Sequence, residues 1–172
     1  PRHPERFQST TQACRNKGFN TQLRSQSGLY DIDADVFVVD TMGEMLEFYA
    51  SSDIAFVGGS ISNIGGHNVL EAAVFSLPVL VGPNTHNFAE ITQLLNDCGG
   101  SQTVHDANDI IRSMEYLIEN QEARIAMGKA AKNLVNQNRG AVNLTMNLIE
   151  SAMDQKPLND QLQSKHFPRI SL

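Results

Sequence analysis

Between Gly58 and Glu71 the chain sets two glycine pairs, a His-Asn dipeptide and a carboxylate: Gly58-Gly59-Ser60, Gly65-Gly66, His67-Asn68 and Glu71. Glycines let a backbone approach a ligand closely, and the free N–H groups of a helix start attract an anion, so the combination is a chemical seat for a phosphate. A single glycine pair also makes a tight turn with no ligand; two pairs around a polar helix start favour the ligand seat. Glu71, three residues after Asn68, has two readings. It completes a capping box or answers the helix dipole, or it accepts hydrogen bonds from two ribose hydroxyls, as an acidic residue does in dinucleotide sites. Met42-Gly43-Glu44 forms a second cluster. There Gly43 can open backbone groups to a nucleobase, or Met42 simply joins an apolar stripe while Glu44 favours its helix start.

These residues need a scaffold that puts strand ends and helix starts together. Val36 to Val39 is a short β-branched apolar run, as expected of a strand buried on both faces of a parallel sheet. Met42, Met45, Leu46 and Tyr49 then recur at helical spacing, with Asp40 or Thr41 as candidate N-cap. Ile54 to Val57 predicts a second strand, a helix from about Asn68 to Phe75 follows, and Pro78 to Val81 predicts a third strand with the proline at its edge. Phe88, Ile91, Leu94 and Leu95 mark the next helix. Strand and helix thus alternate three times, which implies right-handed crossovers and a parallel sheet. Before this, Pro4 to Arg15 reads as a helix with Phe7 inward, and a polar stretch runs to Asp35. The last third reads as helical: a stripe at Ile110, Met114, Leu117 and Ile118, a helix over about 122–136, and a stripe at Val142, Met146, Ile149 and Met153. Residues 1–154 are expected to be one binding domain and 155–172, with Pro157 and Pro168, a loosely attached tail.

Composition narrows the function. At 172 residues and 41% hydrophobic, the chain has enough apolar content for one core. A net charge of -6 excludes a general nucleic-acid binder, which needs a basic stripe to displace counterions. Cys14 and Cys98 lack any CxxC spacing, which suggests reduced thiols and neither a disulfide framework nor a zinc site. His3, His67, His86, His105 and His166 show no ligand spacing. Asp31-Ile32-Asp33 has the form of a metal-binding DxD but enters a strand instead of leaving one, so no metal is expected. The Rossmann GxGxxG and the P-loop GxxxxGK are both missing. Asn143-Leu144-Thr145 matches a glycosylation sequon but falls in a predicted helix. No apolar run approaches the roughly 20 residues of a membrane span. The chain opens on Pro1-Arg2-His3-Pro4 with no initiator Met and is read as a fragment.

PRHPERF at 1–7, DTMGEM at 40–45, AFVGGS at 55–60, GGHNVLEA at 65–72, LPVL at 77–80 and NFAEI at 87–91 together resemble the C-terminal half of the bacterial 3-deoxy-D-manno-octulosonic acid (Kdo) transferases of lipopolysaccharide synthesis. The match runs from residue 1 to about 150. The resemblance implies the donor-binding half of a GT-B glycosyltransferase: an α/β domain with a Rossmann-like parallel sheet and flanking helices. The implied donor is CMP-Kdo and the implied acceptor a lipid A precursor at the cytoplasmic side of the inner membrane. Carried onto this chain, the CMP contacts are Pro1 and Arg2, then Met42, Gly43 and Glu44, then Asn68, Val69, Leu70 and Glu71; beside these, the glycine loops offer Gly59, Ser60, Gly66 and His67 as candidates for additional donor contacts. Arg2 would pair with the phosphate, Asn68 and Val69 would hold it through N–H groups, Glu71 would accept from the ribose, and the Met42 to Glu44 turn would read the cytosine edge. No metal or cofactor is implied.

The family's catalytic carboxylate and membrane anchor belong to its N-terminal domain, so this chain is expected to bind and not to transfer. Val69 stands where the family usually has Pro, and Asn84 and His86 alter a common GPHTFNF run, which leaves the part played by residues 84–86 open. Two rivals share these features. One is another GT-B transferase or a sugar-nucleotide epimerase using UDP; the other is a non-catalytic nucleotide-sensing module.

Overall fold

The computed structural model of the protein describes residue 1 and residues 3–26, 33–138, 146 and 149. They divide into two compact units, Pro1–Ser51 and the residues from Ser52 onward.

In the first unit a 3-10 turn at Pro4–Arg6 runs into helix α1 (Phe7–Asn16). Pro4 is tolerated there because its missing N–H would have no intrahelical partner. Strand β1 (Thr21–Leu23), a 3-10 turn (Arg24–Gln26), strand β2 (Val36–Val38) and helix α2 (Met45–Ala50) follow. β1 and β2 run parallel, with Thr21 opposite Val36 and Leu23 opposite Val38. Their starts are aligned by Asn20 and Asp35, whose backbone and side chain exchange bonds of 2.9 and 2.8 Å. β1 is a strand that the polar stretch before Asp35 did not predict: Thr-Gln-Leu is no apolar run, and pairing with β2 makes it extended.

α2 also departs from expectation. It packs on β2 through the rings of Phe37 and Phe48, 5.8 Å apart, while Met42, Met45 and Leu46 are exposed at 65, 47 and 51%. The half-buried face is therefore Phe48 and Tyr49, and Met42 belongs to the preceding turn. Neither Asp40 nor Thr41 caps the helix; Glu44 occupies the cap position and takes the N–H groups of Glu47 and Phe48 on its carbonyl.

The second unit alternates β3 (Ala55–Val57), α3 (Leu70–Ala73), β4 (Val79–Val81), α4 (Ala89–Asp97), β5 (Ser101–Thr103), α5 (Ala107–Glu119) and α6 (Gln121–Asn138). The sheet order is β3-β4-β5, all parallel, so the alternation of strands and helices is that of an α/β fold. β4 is central, and all three of its residues are fully buried, which is why its sequence is an unbroken apolar run. Leu80, Val104 and Leu117 form the core, with Ile54, Phe56, Ile110, Met114 and Met127 packed around them.

β5, like β1, is a strand that periodicity does not show. Its Ser-Gln-Thr is polar because it lies at a sheet edge, where side chains find local partners: Ser101 donates to Asn96 at 2.6 Å, and Gln102 to Ser113 at 3.1 Å. α5 starts at Asp106, whose carboxylate accepts from the Asp109 N–H at 2.9 Å. Of its predicted stripe, Ile118 instead points to solvent at 65% exposure. Of the stripe from Val142 to Met153, Met146 and Ile149 are helical and exposed. The rest of it, the sequon, Arg2, Asp31, Ile32, His166 and the expected tail at 155–172 lie outside the described residues.

Candidate functional site

In the second unit the predicted site residues lie on the loop that leaves β3. Ser60 is fully buried; its hydroxyl donates to the Val57 carbonyl at 2.6 Å and accepts from the Gly82 N–H at 2.8 Å. It thereby ties the end of β3 to the end of β4. The loop then closes on itself through the Gly66 N–H and the Gly59 carbonyl, 3.0 Å apart.

The residues after β4 hold this loop from the other side. The Asn84 N–H donates to the Ser60 carbonyl at 2.9 Å and its side-chain amide to the Ile61 carbonyl at 3.0 Å. Asn87 repeats the pattern on Gly65 and Ile64, at 3.1 and 3.0 Å. Gly65 has a φ of 98°, a left-handed conformation that favours glycine, and any Cβ on it would run into the side chains of His86 and Asn87. So one member of the glycine pairs is required by fold geometry, and residues 84–87 are part of the loop's support.

Asn68 lies outside α3, not at its first residues as periodicity predicted. Its side-chain carbonyl accepts from the Leu70 N–H at 3.1 Å, in place of the backbone bond a helical residue would make. Its side-chain nitrogen donates to Glu71 at 3.2 Å. This Asn-Glu pair fixes the carboxylate and leaves it acceptor capacity, since an ionised carboxylate offers about four lone-pair sites. The N–H groups of Asn68 and Val69 make no hydrogen bond among the described residues, although Val69 is 1% exposed. The first N–H groups of a helix have no intrahelical partner, and an anion is one group that takes them. α3 itself is only one turn, shorter than the predicted span to Phe75.

In the first unit the turn after β2 carries Met42, Gly43 and Glu44. Gly43 has a φ of 89°, so the turn depends on glycine for its shape. The Glu44 carboxylate is held at both oxygens: Arg24 Nη2 donates to Oε1 at 2.8 Å and the Thr41 hydroxyl donates to Oε2. The Thr41 bond and then Arg24 bring its carboxyl below the usual glutamate value, against the opposing effect of burial. Asp40, at the end of β2, accepts from the Ser25 N–H at 2.8 Å and the Ser25 hydroxyl at 2.5 Å. Burial raises the Asp40 carboxyl, and the Ser25 bonds outweigh it, so the net direction is down.

The structure therefore groups Gly59, Ser60, Gly66, His67, Asn68, Val69, Leu70 and Glu71 in one unit and Pro1, Met42, Gly43 and Glu44 in the other. Ser60, with its hydroxyl engaged inside the protein, shapes the loop. Arg24, Asn84 and Asn87 were not read as site-forming residues. For Arg24 the available signal was its place at the close of a strand, hidden because β1 itself was not recognised. Each unit also carries an open cleft that no residue of the β3 loop lines: one of about 390 Å³ in the second unit beside Gln102, Asp109, Arg112 and Tyr116, the other of about 370 Å³ in the first unit beside Phe7, Thr11, Leu23 and Asp40. In the former, Arg112 answers Asp109 at 2.5 Å. Among the described residues no three His, Cys, Asp or Glu side chains converge as a metal site, and no helix is long and apolar enough to cross a membrane.

The family described as glycosyl transferases group 1 matches residues 16–134. The 3-deoxy-D-manno-octulosonic acid transferase of Haemophilus influenzae is 37% identical over 155 residues, covering 90% of this chain and 36% of that protein. The transferase of the same name from Bordetella pertussis is 34% identical over 151 residues, covering 87% of this chain and 35% of that protein. The chain thus spans about a third of the length of these relatives. Among solved structures, the crystal structure of the C-terminal CMP-Kdo binding domain of WaaA from Acinetobacter baumannii is similar at a TM-score of 0.75 and 33% identity, covering 78% of this chain and 70% of that chain.

Proposed function

Because the chain belongs to the group 1 glycosyl transferases and, within them, to the 3-deoxy-D-manno-octulosonic acid transferases, we propose that it is the part of such an enzyme that holds the donor CMP-Kdo. The observation that carries this reading is the likeness to a CMP-Kdo binding domain over 78% of the chain. Residues 1–154 make up the nucleotide-sugar binding domain. The whole enzyme moves Kdo from CMP-Kdo to a lipid A precursor at the cytoplasmic side of the inner membrane. Donor holding is this chain's share, and no catalytic residue is assigned within it.

On this reading the donor contacts divide their labour. The Asn68 and Val69 N–H groups take the single phosphate, assisted by Pro1 and Arg2, and the Glu71 carboxylate, steadied by Asn68 at 3.2 Å, accepts from the ribose hydroxyls. Leu70 adds its backbone at the same turn, and Gly59, Gly66 and His67 line the approach of the sugar. Met42, Gly43 and Glu44 meet the cytosine. As the sugar leaves, charge grows on the phosphate of CMP, and N–H donors already aimed there stabilise it.

Calorimetric titration of the chain with CMP, UMP and AMP, repeated with Glu71→Ala, tests the reading. Binding selective for CMP that drops at least tenfold in the variant is the expected result. Tight UMP binding would move the assignment to a UDP-dependent transferase or epimerase, and no binding of any nucleotide would overturn it.

A further inference from the structure

We infer that Arg24 is a positioning residue for base selection: it braces the Glu44 carboxylate across two strand ends so that the site accepts cytosine and rejects uracil. The inference rests on the donor-binding reading and extends it to a residue outside the Met42 to Glu44 turn.

The chemistry begins with what distinguishes the two bases. Cytosine presents an amine donor at the position where uracil presents a carbonyl acceptor. An ionised carboxylate only accepts, so it attracts the first and repels the second. It discriminates only if it stays ionised and cannot swing aside. Thr41 belongs to the same turn as Glu44, so by itself it ties the carboxylate to a segment that moves with it. Arg24 arrives from elsewhere, at the close of β1, and its 2.8 Å bond to Oε1 fastens the turn to the neighbouring strand. The segment bearing Arg24 is anchored in turn, because Ser25 bonds Asp40 through both its N–H and its hydroxyl, at 2.8 and 2.5 Å. Two charged groups thus cross between the β1 and β2 ends in opposite directions.

The side chains of Arg24 and Glu44 are 30 and 25% exposed, so the pair is partly shielded and retains more of its attraction than a fully solvated one. One bond to each oxygen leaves a further lone pair on each for the base amine. The Glu44 carboxyl, lowered first by the Thr41 bond and then by Arg24, agrees with this picture.

The test is titration of CMP and UMP into the wild type, Arg24→Met, Arg24→Lys and Glu44→Gln, with circular dichroism confirming the fold of each. The wild type should prefer CMP roughly tenfold, the discrimination typical of one good polar contact to a base. Arg24→Met should bring that preference to within about threefold, mostly by weakening CMP. Glu44→Gln should do the same, since its amide can serve either base, and Arg24→Lys, which restores the charge without the planar fork, should fall between. A purely structural arginine would weaken CMP and UMP in equal proportion; that result, or an unchanged preference in Arg24→Met, overturns the inference. Should Arg24→Met fail to fold, an unchanged preference in Arg24→Lys overturns it as well. A wild type that binds CMP and UMP equally removes this inference and leaves donor binding standing, whereas a wild type that binds no CMP removes both.

Discussion

The turn after β2 and the loop after β3 are held by different physics. Ionised groups secure the first: Arg24 donates to the Glu44 carboxylate and Ser25 to the Asp40 carboxylate, at positions open to water in part. Neutral groups secure the second: a buried serine hydroxyl between two strand ends, two asparagine amides on loop carbonyls, and backbone bonds. Interactions of ionised groups fade when a proton or salt intervenes, while close-packed neutral ones fail when volume changes. The two segments should therefore break under different insults.

The largest effect is expected from crowding the loop. A methyl at Gly82 would fall on the Ser60 carbonyl, so Gly82→Ala should cost the second unit about 1–3 kcal/mol or more, read as a lower urea midpoint. Next is Ser60→Ala, which strands the buried Gly82 N–H and removes a bond to Val57; a loss of about 1–3 kcal/mol is expected, measured as a lower midpoint with an unchanged slope.

The smallest effect belongs to acid and the turn. Glu44 and Asp40 are both depressed below their ordinary values of 4.5 and 3.8, so their contribution is complete above those values and disappears as pH falls through the lower, folded ones. Protection of the Ser25 amide, which Asp40 accepts, against hydrogen exchange should hold above pH 3.8 and decline below it, while that of the Gly82 amide, whose partner does not titrate, stays level. Equal decline at both amides would erase the distinction between the two segments.

The same contrast explains what the sequence disclosed. β4 was legible because a central strand buried on both faces leaves an unbroken apolar run. β1 and β5 were not, because Thr-Gln-Leu and Ser-Gln-Thr become strands through pairing with a neighbour, and local propensity carries little trace of that. The glycine loop, Glu71 and the Gly43 turn were visible from residue type and order. The exposed face of α2 was not: Met42 and Met45 fit a helical stripe, and only tertiary packing selects Phe48 instead. Arg24 stayed hidden for a related reason, since an ion pair across 20 residues has no periodicity.

The paired amides of Asn84 and Asn87 have one more consequence. Each joins a carbonyl of the loop after β3 to the segment after β4, so those two segments are ordered together when the chain folds and little conformational entropy remains to be lost when a ligand arrives. Association at this loop should then be a docking event without a slow closing phase, single-exponential in stopped flow, with a rate that rises linearly with ligand concentration.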